Sequence, residues 1–125
     1  HMSRAMMVTV LARLDGVDTS RGATWQEVGC RWAVEQGISD GHAMSEDLTL
    51  EQLVVLLYRY SGSPTVTDSA VETVQTDTVS RWATEAMVWA TKSGILSGNN
   101  GFQNAKRSVT RAEAAMIVMQ YLLTD

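Results

Sequence analysis

The chain has one cysteine, one proline, one phenylalanine and two histidines in 125 residues. Each scarcity closes something off. With Cys30 alone no internal disulfide can form, and a lone thiol suits the cytosol as well as those surface proteins that use no disulfides. Histidine is confined to His1 and His42. With no second internal histidine and no cysteine nearby, neither a zinc ligand set nor a catalytic triad can be assembled. Positive charge is also short, since 10 Lys+Arg stand against 14 Asp+Glu for a net charge of -4. A nucleic-acid-binding domain usually carries a clearly basic face, so nothing here points to nucleic acid. No apolar run approaches the roughly twenty residues a membrane helix needs, and no charged-then-apolar leader opens the chain. His1-Met2 reads as a cloning remnant, which leaves room for a natural signal peptide and further domains outside this stretch.

What is present is a repeat. "WQEVGCRWAVEQGI" (25–38) and "WATEAMVWATKSGI" (82–95) align without a gap, Trp25 on Trp82, Trp32 on Trp89, Ala33 on Ala90, Gly37 on Gly94 and Ile38 on Ile95. All four tryptophans fall in this one element, the mark of a supersecondary unit copied and stacked. Trp82, Ala83, Ala86, Met87, Trp89 and Ala90 recur at helical spacing, while Thr84, Glu85, Thr91 and Lys92 fall opposite, so the spacing predicts a helix over 82–93 with one apolar stripe. Gly94 stands where a left-handed C-cap is wanted. The same design is expected over 25–36, with Thr24 and Glu27 as a capping box.

A different helix follows each of these leading ones. "TLEQLVVLLYRY" from Thr49 and "TRAEAAMIVMQYLL" from Thr110 both open with a capping box, to Gln52 and to Glu113, and their bodies are apolar nearly all round, as in a central helix. "SRAMMVTVLARL" from Ser3 has the same character and reads as a third such trailing helix. Residues 3–125 are thus expected to form a single all-α domain of two and a half units. It divides into a half repeat at 3–16, a repeat at 24–61, a linker at 62–77 that holds Pro64 and has room for a short helical turn, and a repeat at 78–123. Within the units the joining loops differ, ten residues from Ile38 to Thr49 and fourteen from Ile95 to Thr110. Only the longer holds the tight-turn sequence "SGNNGF".

Trp82-Ala83, Ala86, Ala90, Gly94-Ile95, Gly98, Gly101-Phe102 and Thr110-Arg111-Ala112-Glu113 together resemble the S-layer homology (SLH) module. The last repeat matches it nearly end to end. The middle one keeps the leading helix and a "TLEQ" start with leucine in place of arginine, and the first keeps Ser3-Arg4-Ala5. The resemblance implies helical-hairpin repeats in a pseudo-threefold bundle on a bacterial cell surface, with grooves that hold anionic secondary cell-wall polysaccharide. The family's threonine-arginine motif carries over to Arg111 and Arg4 only, because position 50 is leucine, so at most two competent grooves are expected.

The residue chemistry can be weighed separately. Arg111 in a first helical turn meets an unfavourable helix dipole, so helix stability alone does not select it. A guanidinium beside free backbone N–H groups does suit a carboxylate or phosphate, and Lys106 and Arg107 make "AKRSVTR" a basic cluster on an acidic chain. The competing reading pairs Arg111 with a surface carboxylate. Trp32 and Trp89, mid-stripe, read as core. Trp25 and Trp82, in the first turn, divide between core and groove edge, and Gly94, Gly98 and Asn99 read as groove backbone. Cys30, equivalent to Met87, reads as a small core residue. "DGH" reads as a turn, Glu46 and Asp47 as loop solvation, and "SGNNG" lacks the lysine and strand context of a phosphate loop.

Together with the resemblance, these residues imply a non-catalytic anchoring module, with no cofactor and no metal, that binds a wall polysaccharide through Arg111, Arg4, Trp82, Trp25, Gly94, Gly98, Asn99 and Lys106. The alternative is a protein interaction or assembly module that has kept the fold and lost the sugar. Leucine at 50, the shortened middle loop and a first unit without a leading helix favour it. A bundle with five main helices where six would fit leaves an apolar groove, open to a protein partner, a second copy in a homodimer, or the linker near Val66 to Val74.

Overall fold

The computed structural model describes residues 2–64, 80–96 and 105–124. Among them are five α-helices: α1 (Arg4–Leu14), α2 (Glu27–Glu35), α3 (Leu50–Tyr60), α4 (Thr84–Lys92) and α5 (Arg111–Thr124). Short 3-10 turns at Thr19–Arg21 and Arg81–Ala83 precede α2 and α4. The described residues contain no strand, only two isolated bridges, Ser3 to Asp47 and Thr49 to Ser108. The all-α class is what forms. Most of the linker, and Gly98, Asn99, Gly101 and Phe102, lie outside the described residues.

The trailing helices begin where local chemistry says they should. The Ser3 hydroxyl accepts from the Met6 amide at 3.2 Å. Thr49 and Gln52 form a complete reciprocal box, and Thr110 and Glu113 exchange the same two bonds at 3.1 and 3.3 Å. Each box supplies partners to amides that the helix leaves unpaired. The leading helices depart from expectation. No box forms at Thr24; α2 starts after Gln26 without a side-chain cap, and Glu27 reaches back to the Ala23 amide instead, at 2.6 Å. Trp25 therefore precedes the helix, and Trp82 sits in the 3-10 turn before α4. Both helices end as expected on glycine in the left-handed region, Gly37 at φ 72° and Gly94 at φ 82°.

Backbone packing is most extensive across the unit boundaries, while ring contacts also tie the helices within each unit. The closest backbone approaches join α1 to α2 and α3 to α4. The starts of α1, α3 and α5 are tied in sequence: the Leu48 amide donates to the Met2 carbonyl at 2.7 Å and the Val109 amide to the Leu48 carbonyl at 2.9 Å. Indoles then wedge the leading helices between trailing ones. Trp32 on α2 meets Tyr60 on α3 at 6.0 Å, and Trp89 on α4 meets both Tyr58 on α3 and Tyr121 on α5, at 5.5 and 6.2 Å. Trp32 is buried and Trp89 packs half-buried against the same core, as a stripe position requires. Cys30 packs half-buried beside it, and burial pushes its thiol pKa up. The core gathers Met7, Leu11, Leu48, Leu53, Leu57, Met87 and Val88 in full burial. One trailing helix departs from the all-round burial expected of it: α5 buries Ala114, Val118 and Tyr121 but exposes Met116, Met119, Leu122 and Leu123, the last by 74%.

Candidate ligand clefts at the helix starts

Aligning the trailing helices on their caps, Ser3 with Thr49 and Thr110, puts Arg4, Leu50 and Arg111 at one register. It also aligns Arg13 with Arg59 and Gln120. The structure uses this register twice. In one cleft of about 240 Å³, Arg4 at the start of α1 and Gln52, Val55, Leu56 and Arg59 along α3 face Trp82, with Ile38, Ser39 and Asp40 closing a side. It continues past Trp82 into a recess of about 360 Å³ that adds Tyr58, Arg81 and Glu85. In the other, of about 820 Å³, Arg111 at the start of α5 and Met6, Thr9, Val10 and Arg13 along α1 face Trp25. Each position of the first set thus has its register counterpart in the second, and each indole comes from the segment just before a leading helix that is not the arginine's neighbour in sequence. Trp82 and Trp25 remain 58% and 52% exposed, so their faces are available in the clefts.

The two arginines differ in what surrounds them. Arg4 is half-buried, and its Nη1 donates to the His42 carbonyl at 3.2 Å. That carbonyl is presented by the "DGH" turn, closed by the Asp40 carboxylate accepting from the His42 amide at 2.9 Å. This hydrogen bond is the main reason the Asp40 carboxyl stays below the usual carboxylate range, with the Arg4 charge adding to it. The first amides of α1 are taken as well, Arg4 by the Glu46 carbonyl at 3.2 Å and Ala5 by the Met44 carbonyl at 2.9 Å. The first amides of α3 are filled the same way, Leu50 by Arg107 and Glu51 by Ala105, at 3.0 and 2.8 Å. Arg111 is exposed, and no described residue forms an ion pair with it or accepts from the Arg111 or Ala112 amide. A guanidinium and open helix-start amides together suit an anion.

The "AKRSVTR" cluster divides on inspection. Arg107 pairs with Glu113 and, chiefly through that bond, holds its carboxyl below the usual range, with Thr110 assisting. Glu113 is thus taken by Arg107. Lys106 is exposed in the turn before α5, and Gly94 serves as the α4 C-cap; neither lines either cleft. Gly98 and Asn99 lie outside the described residues. Leu50 is buried, at 2% exposure. No motif marks Arg59, Gln52 and Arg13, although arginine recurs at the same distance from the cap in two trailing helices, which a register alignment exposes.

Among the described residues no three His, Cys, Asp or Glu side chains gather as a metal set, and no described helix is long and apolar enough to cross a membrane. Comparison with protein-family models, with curated proteins and with solved structures returns no match.

Proposed function

We propose that the chain is a non-catalytic anchoring module of SLH type that holds an anionic bacterial wall polysaccharide in these two clefts, its trailing helices arranged about a pseudo-threefold axis. The observation that carries the reading is the recurrence of one pairing. A guanidinium in the first turn of a trailing helix faces an exposed indole from the segment leading into a distant leading helix, with matched registers on both sides. A charged fork suits the acidic groups of such a polymer, and an indole face offers a stacking platform to sugar C–H groups. Arg111 is the stronger anion contact, because no described residue accepts from its helix-start amides, where those at Arg4 are filled. Trp82 and Gln52 give the Arg4 cleft its sugar-facing wall.

The test is sedimentation of the purified chain with wall preparations. Arg111→Ala is expected to lower bound protein about tenfold, the order of one lost charge-assisted contact of roughly 1.5 kcal/mol, and Arg4→Ala by less. Binding should weaken as salt rises. Retention of both variants at the wild-type level, or no wall binding by any form, ends the anchoring account and leaves the interaction module.

A further inference from the structure

The two walls of the Arg4 cleft are joined by a buried side chain that does not line it. Glu51, in the first turn of α3, is 3% exposed, and a carboxylate shut away from water is costly unless donors meet it. Ser80 meets both its oxygens, the amide donating to Oε2 at 2.8 Å and the hydroxyl to Oε1 at 2.6 Å. The Ser80 carbonyl in turn accepts from the Ala83 amide at 2.9 Å and from the Thr84 hydroxyl at 3.3 Å. Ser80 thus closes the 3-10 turn at Arg81–Ala83 and holds the start of α4, with Trp82 inside the span it fixes. Gln52, next to Glu51, and Val55, one turn on, belong to the facing wall. One helix therefore supplies one side of the cleft and moors the indole on the other.

The Arg111 cleft lacks this tie. Aligning Trp25 with Trp82 puts Ala23 at the place of Ser80, and aligning the caps puts Ala5 at that of Glu51. Ala5 has no side-chain acceptor, and the Ala23 amide donates instead to Glu27 of α2 itself, at 2.6 Å. Trp25 is moored to its own helix, Trp82 to the wall across from it. The tied cleft is the smaller, about 240 Å³ against about 820 Å³.

We infer that Glu51 is the positioning residue of the Arg4 cleft: through Ser80 it sets the distance and tilt at which the Trp82 indole faces α3, without lining the cleft itself. A wall presents a ligand with a fixed surface only when the bonds behind it are fixed. What the indole binds rests on the polysaccharide reading; what Glu51 does to the indole rests on the geometry alone.

Fluorine NMR of the full chain labelled with fluorotryptophan gives one signal for each of the four tryptophans, that of Trp82 being the one absent from Trp82→Phe. Glu51→Met keeps the shape and removes the acceptors; it is expected to shift or broaden the Trp82 signal and to leave those of Trp25 and Trp32 in place. Glu51→Gln should restore the wild-type signal, since a carboxamide can accept from the Ser80 amide and donate to its hydroxyl. Ser80→Ala, which breaks one of the two bonds and leaves α3 untouched, should move the same signal by less, and it decides the matter where Glu51→Met does not fold. In sedimentation with wall preparations Glu51→Met should lower bound protein about threefold, the order of one hydrogen bond, and add nothing in a Trp82→Ala background. A Trp82 signal unmoved by both Glu51→Met and Ser80→Ala overturns the proposal, as does a Glu51→Gln signal displaced as far as that of Glu51→Met, or wall binding that Trp82→Ala weakens and Glu51→Met does not. If no form sediments with walls, the polysaccharide reading falls, and the fluorine shifts still decide whether Glu51 holds the indole.

Discussion

Gly29 lies in the middle of α2, where glycine normally costs about 1 kcal/mol against alanine, and its position is explained by what it faces. A methyl group there would stand 2.7 Å from the Thr9 hydroxyl and 2.8 Å from the Thr9 Cα of α1, too near for the two backbones to stay in place. Gly29→Ala is therefore expected to destabilise despite its gain in helix propensity. The net loss should be about 1–2 kcal/mol, seen as a melting temperature lower by roughly 4–8 °C; a rise would mean that α1 and α2 are further apart than described. Its counterpart on α4 is Ala86, 2% exposed, so the small residue recurs in both leading helices and was legible as such. Glu51 was not. It is buried and accepts from the amide and hydroxyl of Ser80, at 2.8 and 2.6 Å, anchoring the chain just before the 3-10 turn at Arg81–Ala83. A glutamate in the first turn of a helix looks the same whether it faces solvent or a distant amide.

Helices α1, α3 and α5 could be placed within a residue of their observed starts because their caps are local, a hydroxyl bonding an amide three residues on. The starts of α2 and α4 are set by tertiary contacts, Glu27 reaching outside its helix and a 3-10 turn leading into α4, and no three-residue motif announces such a start. Leu50 shows the same division for the site. Its register predicts the loss of one cationic groove; in the structure the side chain is buried, whereas Arg4 is half-buried and Arg111 exposed. Leu50→Arg is accordingly expected to cost about 3 kcal/mol, the order of holding a charge short of solvent in the interior, and to add no polysaccharide binding. A urea unfolding midpoint checks it; an unchanged midpoint would mean that position 50 opens as readily as its counterparts.

Across the whole molecule the rings form one connected line, from Trp32 to Tyr60 to Tyr121 to Trp89 to Tyr58, with centroids 5.5 to 6.2 Å apart. It links α2, α3, α5 and α4, and Tyr121 is the point at which α5 joins. Tyr121→Ala should cost about 3–4 kcal/mol, as truncating a buried aromatic does, whereas Trp82→Ala, removing a larger but exposed ring, should stay within about 0.5 kcal/mol. Guanidinium unfolding followed by the fluorescence of Trp32 and Trp89 separates the two; equal losses would mean that α5 is held by something other than this line. Nothing in the sequence marks these tyrosines out, because a helix apolar all round gives no sign of which side meets a neighbour.

Class, helix order, the three trailing caps, the glycine C-caps and the fate of Trp32 and Trp89 follow from spacing and local hydrogen bonding, so composition and periodicity alone determine them. Which helices touch, which arginine has its helix-start amides filled by described residues, and which indole faces it depend on elements that lie far apart along the chain. Only tertiary structure decides those, because a periodic pattern records how much of a helix is buried and carries no record of the partner that buries it.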